Sequence, residues 1–302
     1  MPKVKFGFQF PNVMGYSSFD RLKKIAETVE EISFHSIWTS DHILPVQNFQ
    51  KSERSGLYES VTCLAYLAAV TNRVTIGSSV LLPLRHPLLL ATMLNTIDHA
   101  SSGRLNVGFG VGWYRSEFDN LGIPFSRRGK VATEQLKILK ELWTKPSVTY
   151  GGEFYNLKNA SVVPEPVQKP HPPILIGGAA SQTYERVTEI GDGWMPFAAS
   201  VDDVRKGVEE IKRVASLKKK SVKKDFILYV DLPTTLKPRT NSTLAKVDQD
   251  KEETLTGDTS LISRRIEDYI SLGVQQIIIE FEKPGNEIED LKIFRSEVAS
   301  RF

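Results

Sequence analysis

Residues 74–100 read VTIGSSVLLPLRHPLLLATMLNTIDHA, and they contain the two patterns that decide the fold. The first part, Val74 to Leu81, is a short and mostly apolar run that is typical of a buried strand. The second part, Leu88 to Ala100, repeats its apolar residues at helical spacing and predicts a helix. A strand followed by a helix is the repeating unit of a parallel sheet that is covered by helices.

The same alternation continues along the whole chain, in eight strand and helix pairs. The predicted strands are Val4 to Phe10, Ser36 to Thr39, Val74 to Leu81, Leu105 to Gly110, Ile174 to Gly177, Gly193 to Met195, Ile227 to Leu232 and Gln276 to Phe281. The predicted helices are Phe19 to Ile32, Tyr58 to Val70, Leu88 to Ala100, Lys130 to Trp143, Gln182 to Ile190, Val201 to Ala215, Leu261 to Leu272 and Glu289 to Ala299. This pattern predicts an α/β fold, a (β/α)8 TIM barrel that forms a single domain over residues 1–302.

The composition of individual strands and turns supports a closed barrel. The run Ile277 to Ile279 is continuously apolar, as expected of a strand that is covered on both faces. The alternative is an open doubly wound sheet, which normally has a glycine-rich turn after its first strand. Residues Phe10 to Asn12 do not form such a turn, because they contain no glycine.

Two stretches depart from the alternation. Residues 146–173 contain a predicted hairpin around Gly151 and Gly152, and residues 233–258 are rich in Thr, Lys and Asp. We interpret both as insertions near the C-terminal face of the barrel, where long loops usually bind ligands. Disorder is the alternative interpretation for the second insertion.

Composition and charge exclude several classes of function. The 39 basic and 36 acidic residues leave a net charge of +3, and they form no basic stripe with aromatic residues, so a nucleic-acid partner is not expected. No apolar run reaches the roughly 20 residues of a membrane span. The single cysteine, Cys63, forms no internal disulfide and lies in an apolar string. From Met1 the chain leads directly into the first strand, so we predict a soluble, unexported, cytoplasmic protein without membrane contact.

Reactive residues of a TIM barrel lie in the loops that follow the strands. After the second strand come Asp41 and His42, which place a carboxylate and an imidazole at the active face. Histidine exchanges protons near neutral pH, so His42 is a candidate acid or base, although an Asp-His pair after a strand is more often a hydrogen-bonded structural pair. No metal site is predicted, since the other histidines have no nearby cysteines in the sequence: His35, His86, His99 and His171.

Small residues end the next three strands. The pair Ser79 and Val80 follows Gly77 and Ser78, and the fourth strand ends in the alternate-glycine run Gly110 to Gly112. Residues of this kind allow a flat ligand to approach the backbone, or they pack the barrel tightly. The fifth strand leads through Gly177 to Ala179 into a helix, whose first amides can bind a phosphate. Together with His42, these loops predict a site for a phosphorylated, planar redox cofactor.

Five segments of the chain match a known family. They are IWTSDHILP at 37–45, IGSSVLLPLRHPLLLA at 76–91, SGRLNVGFGVGWYRSEFDNLG at 102–122, PHPPILIGGAA at 170–180 and GDGWMP at 191–196. The chain resembles the bacterial luciferase-like superfamily, and within it the branch of oxidoreductases that depend on the deazaflavin coenzyme F420. This resemblance covers most of the first two hundred residues.

The resemblance implies roles for ten residues. It implies that His42 is the acid or base, with Asp41, against the cofactor face. It also implies a non-prolyl cis peptide between Ser79 and Val80 behind the central ring. The remaining implied residues contact the ring and ribityl chain, or form the phosphate-binding turn: Gly110, Val111 and Gly112 for the former, and Gly177, Gly178 and Ala179 for the latter.

The activity implied by the resemblance is hydride transfer between a small organic substrate and F420. An FMN-dependent monooxygenase on the same fold is the first alternative, and a non-catalytic flavin-binding protein is the second. A homodimer is also implied. Sugar-phosphate dehydrogenases of this family carry a glutamate where Trp113 stands here, which argues against a sugar-phosphate substrate. Trp113, Trp38 and Tyr114 either shape an apolar or aromatic substrate pocket or, for Trp38, belong to the core.

Overall fold

The computed structural model describes residues 4–12, 18–45, 58–222, 227–236, 255–257, 259–281 and 285–302. Its strands are β1 (Lys5–Gln9), β2 (Ser36–Thr39), β3 (Thr75–Ser78), β4 (Leu105–Phe109), β5 (Val148–Gly151), β6 (Asn156–Ala160), β7 (Ile174–Gly177), β8 (Gly193–Met195), β9 (Ile227–Leu236), β10 (Leu255–Gly257) and β11 (Gln276–Phe281). Among the described strands, eight pair in parallel in the order β1-β2-β3-β4-β7-β8-β9-β11, and β11 returns to β1. The predicted (β/α)8 barrel is therefore confirmed.

Helices surround this barrel. They are α1 (Phe19–Glu31), α2 (Ser60–Val70), α3 (Pro87–Ala100), α4 (Arg115–Asn120), α5 (Arg128–Thr144), α6 (Ser181–Glu189), α7 (Val201–Leu217), α8 (Thr259–Ser271) and α9 (Glu287–Glu297). All eight predicted helices are present, with ends shifted by a few residues, and α4 was not predicted. Its six residues are too few to show a helical period in the sequence.

The apolar run of β11 shows why the barrel strands are apolar throughout. Ile277 and Ile279 belong to the core between the barrel and its helices, whereas Ile278 points into the barrel interior. Trp38 is fully buried in the same interior, where its indole Nε1 donates a hydrogen bond of 2.6 Å to Ser36 Oγ. Trp38 is thus a core residue, and of its two interpretations the structural one is correct.

The first predicted insertion contains the expected hairpin, formed by the antiparallel pair β5 and β6. Its tip is held by Glu134 of α5, whose carboxylate accepts hydrogen bonds from the amides of Phe154 and Tyr155 at 3.0 and 2.8 Å. The ring centroid of Tyr155 lies 5.4 Å from that of His86, which caps α3. The tip therefore lies beside the β3 to α3 loop, at the C-terminal face.

The second predicted insertion, residues 233–258, has strand segments at both ends. Residues 233–236 continue β9, and Leu255–Gly257 forms β10, which pairs in parallel with that extension. The sequence suggested a strand end because Pro233 lacks an amide donor. Strand β9 pairs with β8 only at Ile227 and Leu228. Near Pro233, the edge of β9 toward β8 is therefore not paired with β8, and the missing amide hydrogen of the proline is tolerated there. The remainder of this insertion, residues 237–254 and 258, lies outside the described residues.

Candidate functional site

A cavity of about 480 Å³ opens at the carboxyl ends of the barrel strands, within the range of small-molecule and cofactor sites. Nine of the ten predicted site residues line it: Asp41, His42, Ser79, Val80, Gly110, Val111, Gly112, Gly177 and Gly178. Ala179 does not line the cavity and is exposed at the start of α6. The loops of four strands thus converge as the sequence predicts.

One wall of the cavity is built from Val80 and two glycines. The peptide bond between Ser79 and Val80 is cis, as the resemblance implies. A Cβ atom built on Gly110 would lie 2.4 Å from Cγ2 of Val80, and one built on Gly177 would lie 2.8 Å from its Cγ1. Any side chain at these two positions would collide with Val80. The wall is therefore a valine side chain backed by bare backbone, a surface against which a flat ring can lie.

The cavity is also lined by a histidine that contacts a buried carboxylate. His42 Nδ1 lies 3.2 Å from Glu117 Oε1 and 3.3 Å from Glu117 Oε2. Glu117 is fully buried, and its Oε1 also accepts a hydrogen bond of 2.7 Å from the amide of Ile43. The carboxylate thus accepts from the loop that carries His42. With Nδ1 donating to Glu117, a neutral His42 has Nε2 as its proton acceptor.

Glu117 was missed by the sequence interpretation. It belongs to the matching segment 102–122 and lies four residues beyond Trp113, but no role was assigned to it. It is buried because it lies in the first turn of the unpredicted helix α4, which directs it toward the β2 loop. Its place within the matching segment, next to Phe118, was the only signal in the sequence.

Asp41 lines the cavity but directs its carboxylate away from His42. Its Oδ1 and Oδ2 each accept a hydrogen bond of 2.7 Å from Arg85, and Oδ2 also accepts one of 2.9 Å from the amide of Leu82. Arg85 bonds to Glu59 as well. Burial alone would lower the pKa of Arg85, but the hydrogen bonds and charges of Asp41 and Glu59 raise it above its ordinary value. These contacts give Asp41 the geometry of a structural ion pair, and a catalytic role for it stays a prediction.

Aromatic side chains form the rim of the cavity. Trp113 and Phe197 both line it, yet their exposed fractions are 57% and 60%. The Trp113 ring centroid lies 5.9 Å from that of His42 and 5.6 Å from that of Tyr114. Exposed rings around a cavity offer apolar contact to a bound molecule.

The start of α6 provides donors for an anion. No side chain caps this helix at Ala180, and the Ala180 carbonyl oxygen accepts a 2.8 Å hydrogen bond from the amide of Thr183. Gly178 has a φ of +104°, which favours glycine, and its carbonyl oxygen accepts a 2.7 Å hydrogen bond from Trp194 Nε1. The turn is thus held in place at the start of α6, where helix amides suit a phosphate group.

Two further searches of the described residues bear on function. No group of three or more His, Cys, Asp or Glu side chains comes together there as a metal site would require. Within the same ranges, every helix is too short or too polar to cross a bilayer.

Comparison with known families agrees with this geometry. Residues 4–275 match the family model described as luciferase-like monooxygenase. The chain belongs to the luciferase-like monooxygenase family. The match covers the strands from β1 to β10 and all the residues that line the cavity except Glu280 of β11.

Relatives in this family differ in cofactor. An uncharacterized protein of Mycobacterium tuberculosis is 34% identical over 166 residues, 54% of this chain and 57% of the relative. An FMNH(2)-dependent dimethylsulfone monooxygenase of Pseudomonas putida is 27% identical over 241 residues, 73% of this chain and 63% of the relative. The chain thus spans little more than half the length of the first of these curated relatives.

Solved structures of luciferase-like proteins share the fold. A monooxygenase from Streptomyces bottropensis superposes with a TM-score of 0.81 at 23% identity, covering 99% of both chains. An F420-dependent secondary alcohol dehydrogenase in complex with an F420-acetone adduct superposes with a TM-score of 0.83 at 18% identity, covering 99% of this chain and all of that one. At these identities the likeness establishes the common barrel.

Proposed function

We propose that this luciferase-like protein is an oxidoreductase that transfers a hydride between a small organic substrate and the deazaflavin coenzyme F420. The observation that carries the proposal is that His42, held by Glu117, lines the same cavity as the wall of Val80, Gly110 and Gly177. A proton-transfer group and a flat backbone surface in one cavity are what hydride transfer to or from a ring needs.

The residues present fit such a cofactor. The wall formed by Val80, Gly110 and Gly177 would support the ring, and the amides at the start of α6 would bind the phosphate. When bound, F420 supplies a carbon that accepts or donates a hydride. His42 Nε2 then takes the proton of a substrate hydroxyl as its carbon is oxidised, or returns it in the reverse direction.

Glu117 holds the imidazole for this step. Its contact with His42 Nδ1 selects the tautomer with a free Nε2, and it stabilises the imidazolium that forms. Because Glu117 is itself held by the amide of Ile43, ring and carboxylate move as one unit with the β2 loop. The exposed rings of Trp113 and Phe197 exclude water above the site when a substrate of apolar or aromatic character is bound.

The second candidate function is an FMN-dependent monooxygenase. The 27% identity to an FMNH(2)-dependent dimethylsulfone monooxygenase over 73% of the chain favours it. Deazaflavin lacks the ring nitrogen that flavin uses in its reaction with oxygen, so the bound cofactor decides between the two functions. A flavin-binding protein without catalysis is the third possibility.

Cofactor titration tests the proposal. We expect F420 to bind the purified protein at least tenfold more tightly than FMN, and F420 fluorescence to be quenched as it stacks on the cavity wall. The matched control is the Gly110→Val variant, whose side chain would occupy the cavity wall and abolish binding. Tighter binding of FMN together with oxygen consumption by the reduced complex would establish the monooxygenase instead. Tight binding with no turnover of any alcohol, aldehyde or ketone would favour the non-catalytic protein.

The predicted homodimer and cytoplasmic location also remain proposals. Support for a dimer comes from α2, which contains no charged residue and packs beside α3, where Leu89 is 57% exposed. A helix without a polar face is normally covered. We expect sedimentation at about twice the chain mass of 33.9 kDa, and at the single-chain mass for Leu89→Glu. Leu217→Glu on α7, where the leucine is 69% exposed, is the control and keeps the dimer. A monomeric wild-type protein would contradict this proposal.

A further inference from the structure

A second cavity, of about 450 Å³, lies at the end of the barrel opposite the candidate active site. It is formed where strands begin: Lys5 starts β1, His35 precedes β2 and Val74 precedes β3. The amino ends of parallel strands lie on the face opposite their carboxyl ends. This cavity is therefore separate from His42 and the Val80 wall, and nothing in the proposed hydride transfer uses it.

The floor of this cavity is aromatic. Phe6 and Phe34 are buried beneath it, with ring centroids 6.3 Å apart. Phe302 closes one side, with its ring centroid 6.1 Å from that of Phe6. Three phenylalanine rings at such spacings offer an apolar seat for another ring.

The rim of the cavity is basic. Lys5, Arg73 and Arg295 line it, against the single acidic side chain of Glu30. The Glu30 carboxylate is already engaged, because its Oε1 accepts hydrogen bonds from the amides of Asn72, Arg73 and Val74 at 2.9, 2.5 and 3.1 Å. Among the described residues, Lys5 and Arg295 have no ion-pair partner. The rim thus carries positive charge that this part of the chain does not neutralise.

The pKa of His35 is affected by the same positive charge. Its ring lines the cavity, and no side-chain hydrogen bond to it is present among the described residues. Burial, together with the positive charge of Lys5, lowers the pKa of His35 to about 4. The imidazole is therefore neutral at physiological pH. An anion placed there would be attracted by the cations and would favour protonation of His35.

We propose that this cavity is a second binding site, for a small organic carboxylate with an aromatic ring. The ring lies on the phenylalanine floor, and the carboxylate meets Arg295, Lys5 and His35 at the rim. Arginine suits this role because its planar guanidinium binds a carboxylate through two parallel hydrogen bonds. A cavity of about 450 Å³ has room for a ring of benzoate size with its substituents.

Benzoate is the probe, compared with three others that separate charge from shape. Benzamide keeps the shape without the charge, benzylammonium reverses the charge, and inorganic phosphate supplies charge without the ring. Binding is followed through the imidazole proton resonance of His35, which is assigned by its absence in His35→Gln. We expect saturable benzoate binding that is about tenfold tighter than that of benzamide, and a rise in the pH at which the His35 resonance titrates.

Charge variants locate the site. Arg295→Gln is expected to weaken benzoate binding about tenfold and to leave benzamide binding unchanged. Arg264→Gln is the matched control, because Arg264 is exposed on α8 and lines neither cavity. Both variants are expected to keep the wild-type unfolding temperature within about 2 °C, because Arg264 is exposed and the half-buried Arg295 has no ion-pair partner among the described residues.

Three results would overturn the proposal. Phosphate that binds as tightly as benzoate would show a charged surface without a ring site. Benzoate binding that survives Arg295→Gln and Lys5→Gln, or that F420 or FMN displaces, would place the ligand in the other cavity. An unchanged His35 resonance at saturating benzoate would exclude the site itself. None of these outcomes depends on hydride transfer, so the inference and the proposed function fail separately.

Discussion

Replacing His42 with alanine is expected to lower kcat by about 10²- to 10⁴-fold while leaving cofactor affinity within about threefold of wild type. The reason is that His42 lines the cavity but is not part of the wall formed by Val80 and the glycines, so its loss removes the proton acceptor but not the binding surface. Single-turnover kinetics with the cofactor, alongside a fluorescence titration of cofactor binding, measure the two quantities separately.

Two variants sharpen this prediction. Glu117→Gln should lower kcat about 10- to 100-fold with little change in KM, because the amide retains the bond from Ile43 but no longer stabilises an imidazolium. Glu117→Asp, which keeps the charge, should recover part of that loss. His99→Ala is the matched control, since His99 is exposed and its Nε2 contacts only the carbonyl oxygen of Glu165 at 2.8 Å. Full activity in His42→Ala would remove the proton-transfer role and with it the main support for the proposed chemistry.

Much of the fold was predictable because its determinants are local. The run Ile277 to Ile279 is apolar because both faces of β11 are covered, and three consecutive isoleucines already indicate such a strand. The hairpin of the first insertion was predictable from its paired glycines for the same reason. The extension of β9 was not, because whether Pro233 is tolerated depends on where β8 stops pairing, which is a property of the assembled sheet.

The sequence predicts which residues lie at the candidate site, but not which side chains they contact. The strand ends follow from the alternation of strands and helices. The sequence therefore predicts that His42, Val80, Gly110 and Gly177 lie on one rim, and all four line the cavity. Partners could not be predicted in the same way. His42 and Glu117 are 75 residues apart, and Asp41 and Arg85 are 44 apart. Such contacts depend on the direction of side chains in α4 and in the β3 to α3 loop. Because Asp41 and His42 are adjacent in sequence, they suggested a pair with each other, but in the structure Asp41 pairs with Arg85 and His42 with Glu117.

Replacing Asp41 with alanine is expected to destabilise the protein by about 2–4 kcal/mol. Arg85, with a side chain only 12% exposed, would lose two charge-assisted hydrogen bonds, and the buried amide of Leu82 would lose its acceptor. Glu59 would remain as a partner for Arg85, which limits the loss. Urea denaturation monitored by circular dichroism measures the change, and Asp202→Ala, which removes an exposed pair with Arg205 on α7, should cost under about 1 kcal/mol.

A second variant, Asp41→Asn, separates a structural role of Asp41 from a catalytic one. If Asp41 acts through its ion pair, Asp41→Asn should retain most activity at low temperature while losing about 1–3 kcal/mol of stability. The side-chain amide oxygen can still accept the hydrogen bond from Leu82, but it no longer provides a negative charge beside Arg85. A double-mutant cycle with Arg85→Met should give a coupling energy above about 1 kcal/mol. Wild-type stability with a loss of turnover as large as that of His42→Ala would instead make Asp41 part of the chemical step.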